Sequence, residues 1–344
     1  MNRMNGVGIA ALEFLLIVSF ILFFACTADP EAEKEKEEEE PIEYSTDYFS
    51  NDFDPSLCSF FDKFDGKALD LNKWGYQNGN GNNGWGNQEL QYYHEDNVTV
   101  QQGFLRLEAR LETRGAQHYT SGKLVTAGGY GPDHPTAPAP AGSPGLKFAQ
   151  TYGRFEAKIR LSKAGPTASA MWPAFWMMPI NSSVSSGGYG GWPRSGEIDI
   201  MEMTGQNPTH TSATLHCANT GGGQHYRGSD QDFPEGETTA DWHVYGTIWK
   251  SDEFIFLIDG KEFRRIKMAD LPRGFYPDNP GAPFNRDFHL ILNLAVDSGR
   301  FNSASKIENA ELPIALEVDW VRCYTLENDP WEILGIVPHR PYNN

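Results

Sequence analysis

Helical periodicity is nearly absent from this 344-residue sequence, and without it the chain cannot build a helical bundle or a doubly wound α/β layer. Cysteine is scarce: the four, at positions 26, 58, 217 and 323, fit no metal-ligand spacing. Positive charge is scarce as well. Twenty-eight basic residues stand against 46 acidic ones, a net charge of −18. Asp29 to Tyr44, with nine acids and two lysines, supplies −7, and the remainder still carries −11. That field disfavours nucleic acid and anionic membrane surfaces as partners and leaves a neutral polymer untouched. What is present is 39% hydrophobic and 13% aromatic content with 35 Gly and 22 Pro, which favours one large, turn-rich β unit.

The N-terminus reads as an export signal over residues 1–28. Arg3 gives a short basic region, and "FLLIVSFILFFA" (Phe14 to Ala25) is an apolar run of 12 residues, too short and too interrupted by Glu13 to favour a full span. Two exits stay open: cleavage after Ala28 for secretion, or lipidation at Cys26 in "FFAC" with attachment at a membrane. Residues 29–49 contain "EAEKEKEEEEP", a charged spacer without apolar content. From residue 50 to 326 short strands alternate with turn signals. "LRLEARLE" and "GRFEAKIRL" alternate strictly, "EFIFLIDGKEFRRI" is a hairpin turning at Asp259-Gly260, "FHLILNLAV" is a continuous apolar strand and "ALEVDWVRCY" alternates again. Gly128 to Gly145 and Asp297 to Ala310 read as loops. Residues 327–344 form an extension. The expectation is an all-β, antiparallel sandwich, monomeric, with a bridge between Cys58 and Cys323 open if the terminal strands pair.

One hexapeptide stands out. "EIDIME" (Glu197 to Glu202) places three carboxyls in an apolar run. In a helix, at about 100° per residue, Asp199 and Glu202 would lie roughly 200° and 140° away from Glu197. A strand puts Glu197 and Asp199 on one face and Ile198 and Ile200 on the other. Glu202 then falls out of phase, and a β-bulge near Ile200 and Met201 returns it to the acidic face. Paired carboxyls facing each other across a sugar are the minimum equipment for glycoside hydrolysis, one as nucleophile or base and one as acid. A third between them can hydrogen-bond the nucleophile and set the two pKa values apart. Aromatics suited to stacking on sugar rings surround this stretch: Trp85, Tyr92 and Tyr93 in "GWGNQELQYY", Trp172 and Trp176 in "MWPAFWMMP", and Trp192 in "GGWPRSG".

"GEIDIME" preceded by "WPRS", with "WPAFWMMP" upstream and "TLHC" downstream, resembles the laminarinase branch of glycoside hydrolase family 16. The resemblance runs from "FDKFDGKALDLNKW" through "WGNQELQYY", "TYGRFEAKIRL", "DWHVYGTIW" and "FHLILNLAV" to "VDWVRCY". It implies a curved, concanavalin-like β-jelly roll with a concave cleft, acting with retention on β-1,3- or mixed-linkage β-glucan. Glu197 resembles the family nucleophile, Glu202 the general acid/base and Asp199 the assisting Asp. His216 matches a histidine of the cleft, and Asn87, Arg154, Trp172, Trp176, Trp192 and Asn293 match positions that contact sugar. No cofactor is implied for the chemistry. A structural Ca²⁺ is frequent in the family, and Asp319 matches one of its ligands, whereas Lys63 stands where an acid is usual. The loop "DSGRFNSASKIENA" also departs from the family's Gly-Gly and Trp. Two alternatives remain: the same mechanism on a marine galactan (agar or carrageenan), and a β-glucan recognition protein without catalysis.

Overall fold

The structure, a computed structural model, describes residues 54–127, 145–181, 184, 188–273, 275–276 and 278–335. The export signal over 1–28 with Cys26, the acidic spacer over 29–49, all but the last residue of the loop from Gly128 to Gly145, and the end of the extension from residue 336 lie outside the described residues.

Among the described residues, seventeen strands follow in chain order: β1 (Phe60–Asp62), β2 (Gly75–Tyr76), β3 (Gln91–Tyr93), β4 (Val98–Gln101), β5 (Phe104–Arg114), β6 (Gln117–Ser121), β7 (Lys123–Val125), β8 (Gly153–Leu161), β9 (Met171–Pro179), β10 (Glu197–Glu202), β11 (His210–Ala218), β12 (Gln224–Asp232), β13 (His243–Trp249), β14 (Glu253–Ile258), β15 (Lys261–Lys267), β16 (Phe288–Val296) and β17 (Ile314–Tyr324); a short helix, α1 (Pro330–Leu334), comes last. They form two sheets. One is ten-stranded, ordered β15-β14-β13-β8-β17-β5-β6-β3, with β1 added on β17 and β4 on β5; the other is seven-stranded, ordered β12-β11-β10-β9-β16-β7-β2. Pairing is antiparallel throughout except between β3 and β6.

Alternation explains the layers. On β8, Phe155, Ala157, Ile159 and Leu161 enter the core between the sheets, and on β16 Phe288, Leu290, Leu292, Leu294 and Val296 meet them from the other side. Each of these side chains larger than alanine contributes about 1.5–3 kcal/mol by leaving water. The hairpin of β14 and β15 turns at Asp259 (φ 50°) and Gly260 (φ 75°), the positive-φ pair that a two-residue turn of this twist requires.

β17 differs from its expected half-exposed alternation: ten of its eleven residues are buried. The reason lies on the outer face of the ten-stranded sheet, where Arg154 and Glu156 of β8 meet Arg322 and Tyr324 of β17. Residues 326–335 close over this face. Asp329 bonds the Arg154 guanidinium, and Trp331 packs on Ile248, Ile255 and Leu257 of β13 and β14. The first part of the extension is thus part of the fold. β1 pairs with β17, so the condition for the bridge is met, yet Cys58 and Cys323 are free thiols and make no bridge. Asp319 sits at a bulge between Val318 and Trp320. Its carboxylate makes an ion pair with Lys158 Nζ at 2.8 Å.

Candidate active site

β10 lies in the middle of the seven-stranded sheet between β9 and β11. Its register with both neighbours shifts after Asp199. That bulge sends Ile198, Ile200 and Met201 to the core and brings Glu197, Asp199 and Glu202 to one face, where all three line a single cleft. Gly196 sets the entry to the strand: at φ 83° it is left-handed, and a Cβ there would come within 2.9 Å of Pro283.

Each carboxyl is held differently. Glu202 Oε1 accepts the indole N–H of Trp172 at 3.0 Å. Asp199 Oδ2 lies 3.1 Å from His216 Nε2. Gln224 Nε2 lies 3.1 Å from the other ring nitrogen, Nδ1; an amide NH₂ donates there, which leaves the ring proton on Nε2, facing Asp199. Glu197 shares a hydrogen bond with Asp199 and receives another from Trp192. Burial pushes Glu197 up to about 8, the Asp199 charge adding to it while His216 and Trp192 oppose. Burial and the Glu197 charge likewise hold Glu202 at about 7, with Trp172 opposing. Asp199 is pushed well above the usual carboxylate range by burial and by Glu202. A hydrogen bond between two carboxyls needs a proton, which Glu197 and Asp199 share. The trio therefore titrates as one unit.

Across β9 and β16 the cleft continues to β7. Trp176 Nε1 donates to Asn293 Oδ1 at 2.6 Å, Asn293 Nδ2 donates to the Tyr93 hydroxyl at 3.1 Å, and that hydroxyl donates to Glu89 Oε2 at 3.2 Å. Asn87 Nδ2 reaches Glu89 Oε1 at 3.2 Å. Lys123 points its ammonium at the rings of Trp85, Trp176 and Tyr93, 4.2, 5.1 and 5.6 Å from their centroids. Its burial lowers its pKa to about 8 against the opposing charges of Glu89 and Glu197.

Asn87, Trp172, Trp176 and Asn293 therefore line the cleft, as expected. Trp192 is half exposed beside His216, ring centroids 6.1 Å apart. Arg154 does not belong with them. It lies fully buried on the opposite face of the sandwich, its guanidinium paired with Glu156 at 2.7 Å and Asp329 at 2.8 Å. Alternation tells that Arg154 and Phe155 face apart, but not which sheet β8 joins. Glu89 and Lys123 of the cleft lining, and Phe301 beside it, escaped the sequence reading. Phe301 stacks on Trp172 with centroids 4.0 Å apart and planes at 5°. Its loop is pinned by Asp297, whose Oδ1 accepts the N–H groups of Gly299, Arg300 and Phe301, each at 3.0 Å. The Asp-x-Gly start of that loop was the available signal.

Among the described residues, two sets of donors could gather a cation: Glu197, Asp199 and His216 in the cleft, and Glu237, His243 and Asp259 beside β13. The first set includes two members of the acidic trio, Glu197 and Asp199, so a cation there would compete with their shared proton.

A family model described as beta-porphyranase A-D, GH16 domain, matches residues 57–326. Among curated proteins the chain is 35% identical to glucan endo-1,3-beta-glucosidase A1 of Niallia circulans, over 76% of this chain and 37% of that protein. It is 36% identical to a beta-glucanase of Rhodothermus marinus, over 76% of this chain and 83% of the relative. The chain thus spans little more than a third of the first relative and most of the second. Among solved structures, the laminarinase from Rhodothermus marinus superposes with a TM-score of 0.61 at 35% identity, covering 78% of this chain and 96% of that one.

Proposed function

Since the chain belongs to glycoside hydrolase family 16, we propose that it is an endo-acting β-1,3-glucanase that cleaves with retention by double displacement. The observation that carries this reading is the bulged β10, which sets Glu197, Asp199 and Glu202 on one cleft face. In the first step a Glu197 oxygen attacks the anomeric carbon, the glycosidic C–O bond breaks, and Glu202 gives its proton to the departing oxygen. In the second, Glu202 takes a proton from water, the water oxygen attacks the same carbon, and the ester to Glu197 breaks. When the proton shared by the two carboxyls sits on Asp199, Glu197 is the carboxylate that attacks. Glu202 at about 7 can both give and take a proton near neutrality. Two carboxyls and water complete this chemistry, so it asks for no cofactor.

Charge favours a neutral glucan. The cleft lining holds four carboxyls, Glu89, Glu197, Asp199 and Glu202, beside the single ammonium of Lys123, so it offers a sulfated chain only one cation to pair with. A second reading, the same mechanism on a galactan, is favoured by the family description, which names beta-porphyranases. The presence of both Glu197 and Glu202 argues against a pure recognition protein. The test is product release from laminarin, barley mixed-linkage glucan, agarose, carrageenan and porphyran by the wild type and by Glu197→Gln. Oligosaccharides from laminarin by the wild type alone support the reading. Products from a galactan only would replace the polymer and keep the mechanism, and binding of laminarin without products from any polymer would leave a recognition protein.

Export belongs to the same proposal, because a polysaccharide is met outside the cell membrane. Intact-mass measurement of the mature N-terminus separates cleavage after Ala28 from lipid attachment at Cys26. A structural calcium ion would have to displace Lys158 from Asp319; a melting temperature that rises with added Ca²⁺ and falls with chelator would show that it does.

A further inference from the structure

From β10 the cleft runs towards β7, but the same face of the seven-stranded sheet also runs the other way, across β11 to the edge strand β12. Glu197 pairs with His216, and His216 pairs with Tyr226. Residues directly paired across neighbouring strands share a face. On β11, Ala213, Leu215 and Cys217 enter the core, so Ser212, Thr214 and His216 face outward with the acidic trio. Their partners on β12 are Asp230, Gly228 and Tyr226. Tyr226 thus extends the row of Glu197 and His216 by one strand.

Three observations make this edge look built for a ring. Tyr226 is 69% exposed on a strand whose other residues are polar or glycine. Its ring lies 6.1 Å from the His216 ring, which lies 6.1 Å from the half-exposed ring of Trp192. Beside it, Gly228 leaves the face low, since a Cβ there would come within 2.5 Å of Thr214 Oγ1. Tyr226 stands two strand spacings from Glu197, about 10 Å, beyond the sugar that reacts.

We infer that Tyr226 is the platform of an outer sugar subsite on the β12 side, where a neutral pyranose ring of the polymer stacks beyond His216. This inference rests on the glucan reading above and deepens it: a chain bound across β7, β16, β9, β10, β11 and β12 is held on both sides of the scissile bond. Stacking on an exposed ring adds affinity for chains long enough to reach it, by about 2- to 10-fold.

The experiment measures binding of laminari-oligosaccharides of two to seven sugars to the uncleaving Glu197→Gln protein, with and without Tyr226→Ala or Tyr226→Phe. The expected result is a loss with Tyr226→Ala that grows with length, about fivefold greater for the longest chains than for the disaccharide, while Tyr226→Phe keeps the length dependence. An equal loss at every length would mean that the ring only supports His216, and no loss at any length would mean that it touches no sugar; either overturns the subsite and leaves the glucan reading standing. Failure of Glu197→Gln to bind laminari-oligosaccharides of any length would overturn the glucan reading itself, and the subsite with it.

Discussion

Two groups of buried carboxyls lie on opposite faces of this sandwich, and the protein treats them in opposite ways. On the outer face of the ten-stranded sheet, burial alone would push Glu156 up, but the Arg154 and Arg322 guanidinium groups outweigh it and hold the carboxyl below its ordinary range. In the cleft, Asp199 is buried and Glu197 and Glu202 are half-buried, and they are offered indole hydrogen bonds, the nearby His216 ring and one another's charge. All three are pushed up. Asp329 sits between the two cases, raised by burial and only partly brought back by Arg154. Burial raises the carboxyls of both groups; the counter-ion decides which way each ends. Full pairing makes a fixed charge that can neither give nor take a proton, which suits a structural clamp. Sparse pairing leaves protons exchangeable near neutral pH, which suits an acid and a nucleophile and makes the cleft the less stable half of the comparison.

The largest expected effect comes from removing the nucleophile. Glu197→Gln keeps the size and hydrogen-bonding capacity of the side chain and removes its negative charge, so kcat on laminarin should fall by about 10⁴-fold or more with the far-ultraviolet circular dichroism unchanged. Activity within tenfold of wild type would move the nucleophile elsewhere. On the other face, Arg154→Met should leave Glu156 and Asp329 short of a counter-ion and cost about 3–5 kcal/mol in urea unfolding. The protein that remains folded should turn over laminarin at the wild-type rate, because Arg154 touches no part of the cleft. A variant with full stability and a raised KM would restore Arg154 to substrate contact and break the contrast between the faces.

The comparison also shows what the sequence could and could not tell. The acidic strand was legible because its argument is local: period two, one slip, one bulge, all within Glu197–Glu202. The hairpin at Asp259-Gly260 was legible for the same reason. Arg154 was placed on the correct strand and the wrong face, since the choice of sheet depends on β8 pairing with β13 and β17, up to about 170 positions away in the chain. Glu89 and Lys123 carry no motif that marks them; only the folding of β7 beside β16 sets that ammonium among Trp85, Tyr93 and Trp176. The buried outer face of β17 was hidden because its cover comes from Asp329 and Trp331, in an extension whose own pattern says nothing about where it docks.

The smallest effects sharpen the comparison most, because the cleft also contains a buried cation and the two signs of charge must answer pH in opposite senses. Glu197 has a folded-state pKa of about 8, above its ordinary 4.5. The folded protein therefore binds a proton that the unfolded chain has lost, and stability drains away as pH rises from about 4.5 to about 8. Glu197→Gln escapes that loss. Its melting temperature should match wild type near pH 4.5, exceed it by a few degrees near pH 8, and gain nothing further above that. Lys123 is the mirror case, with a folded pKa of about 8, below its ordinary 10.5. Here the folded protein lacks a proton that the unfolded chain holds, so wild-type stability recovers between about pH 8 and 10.5. Lys123→Met should be stabilised fully below pH 8, and its advantage should fade across that upper window. Melting curves of both variants from pH 4.5 to 10.5 check the pair. Parallel profiles would mean that the acid and the ammonium neutralise each other as one ion pair, and the cleft would then be a second clamp like the one on the opposite face.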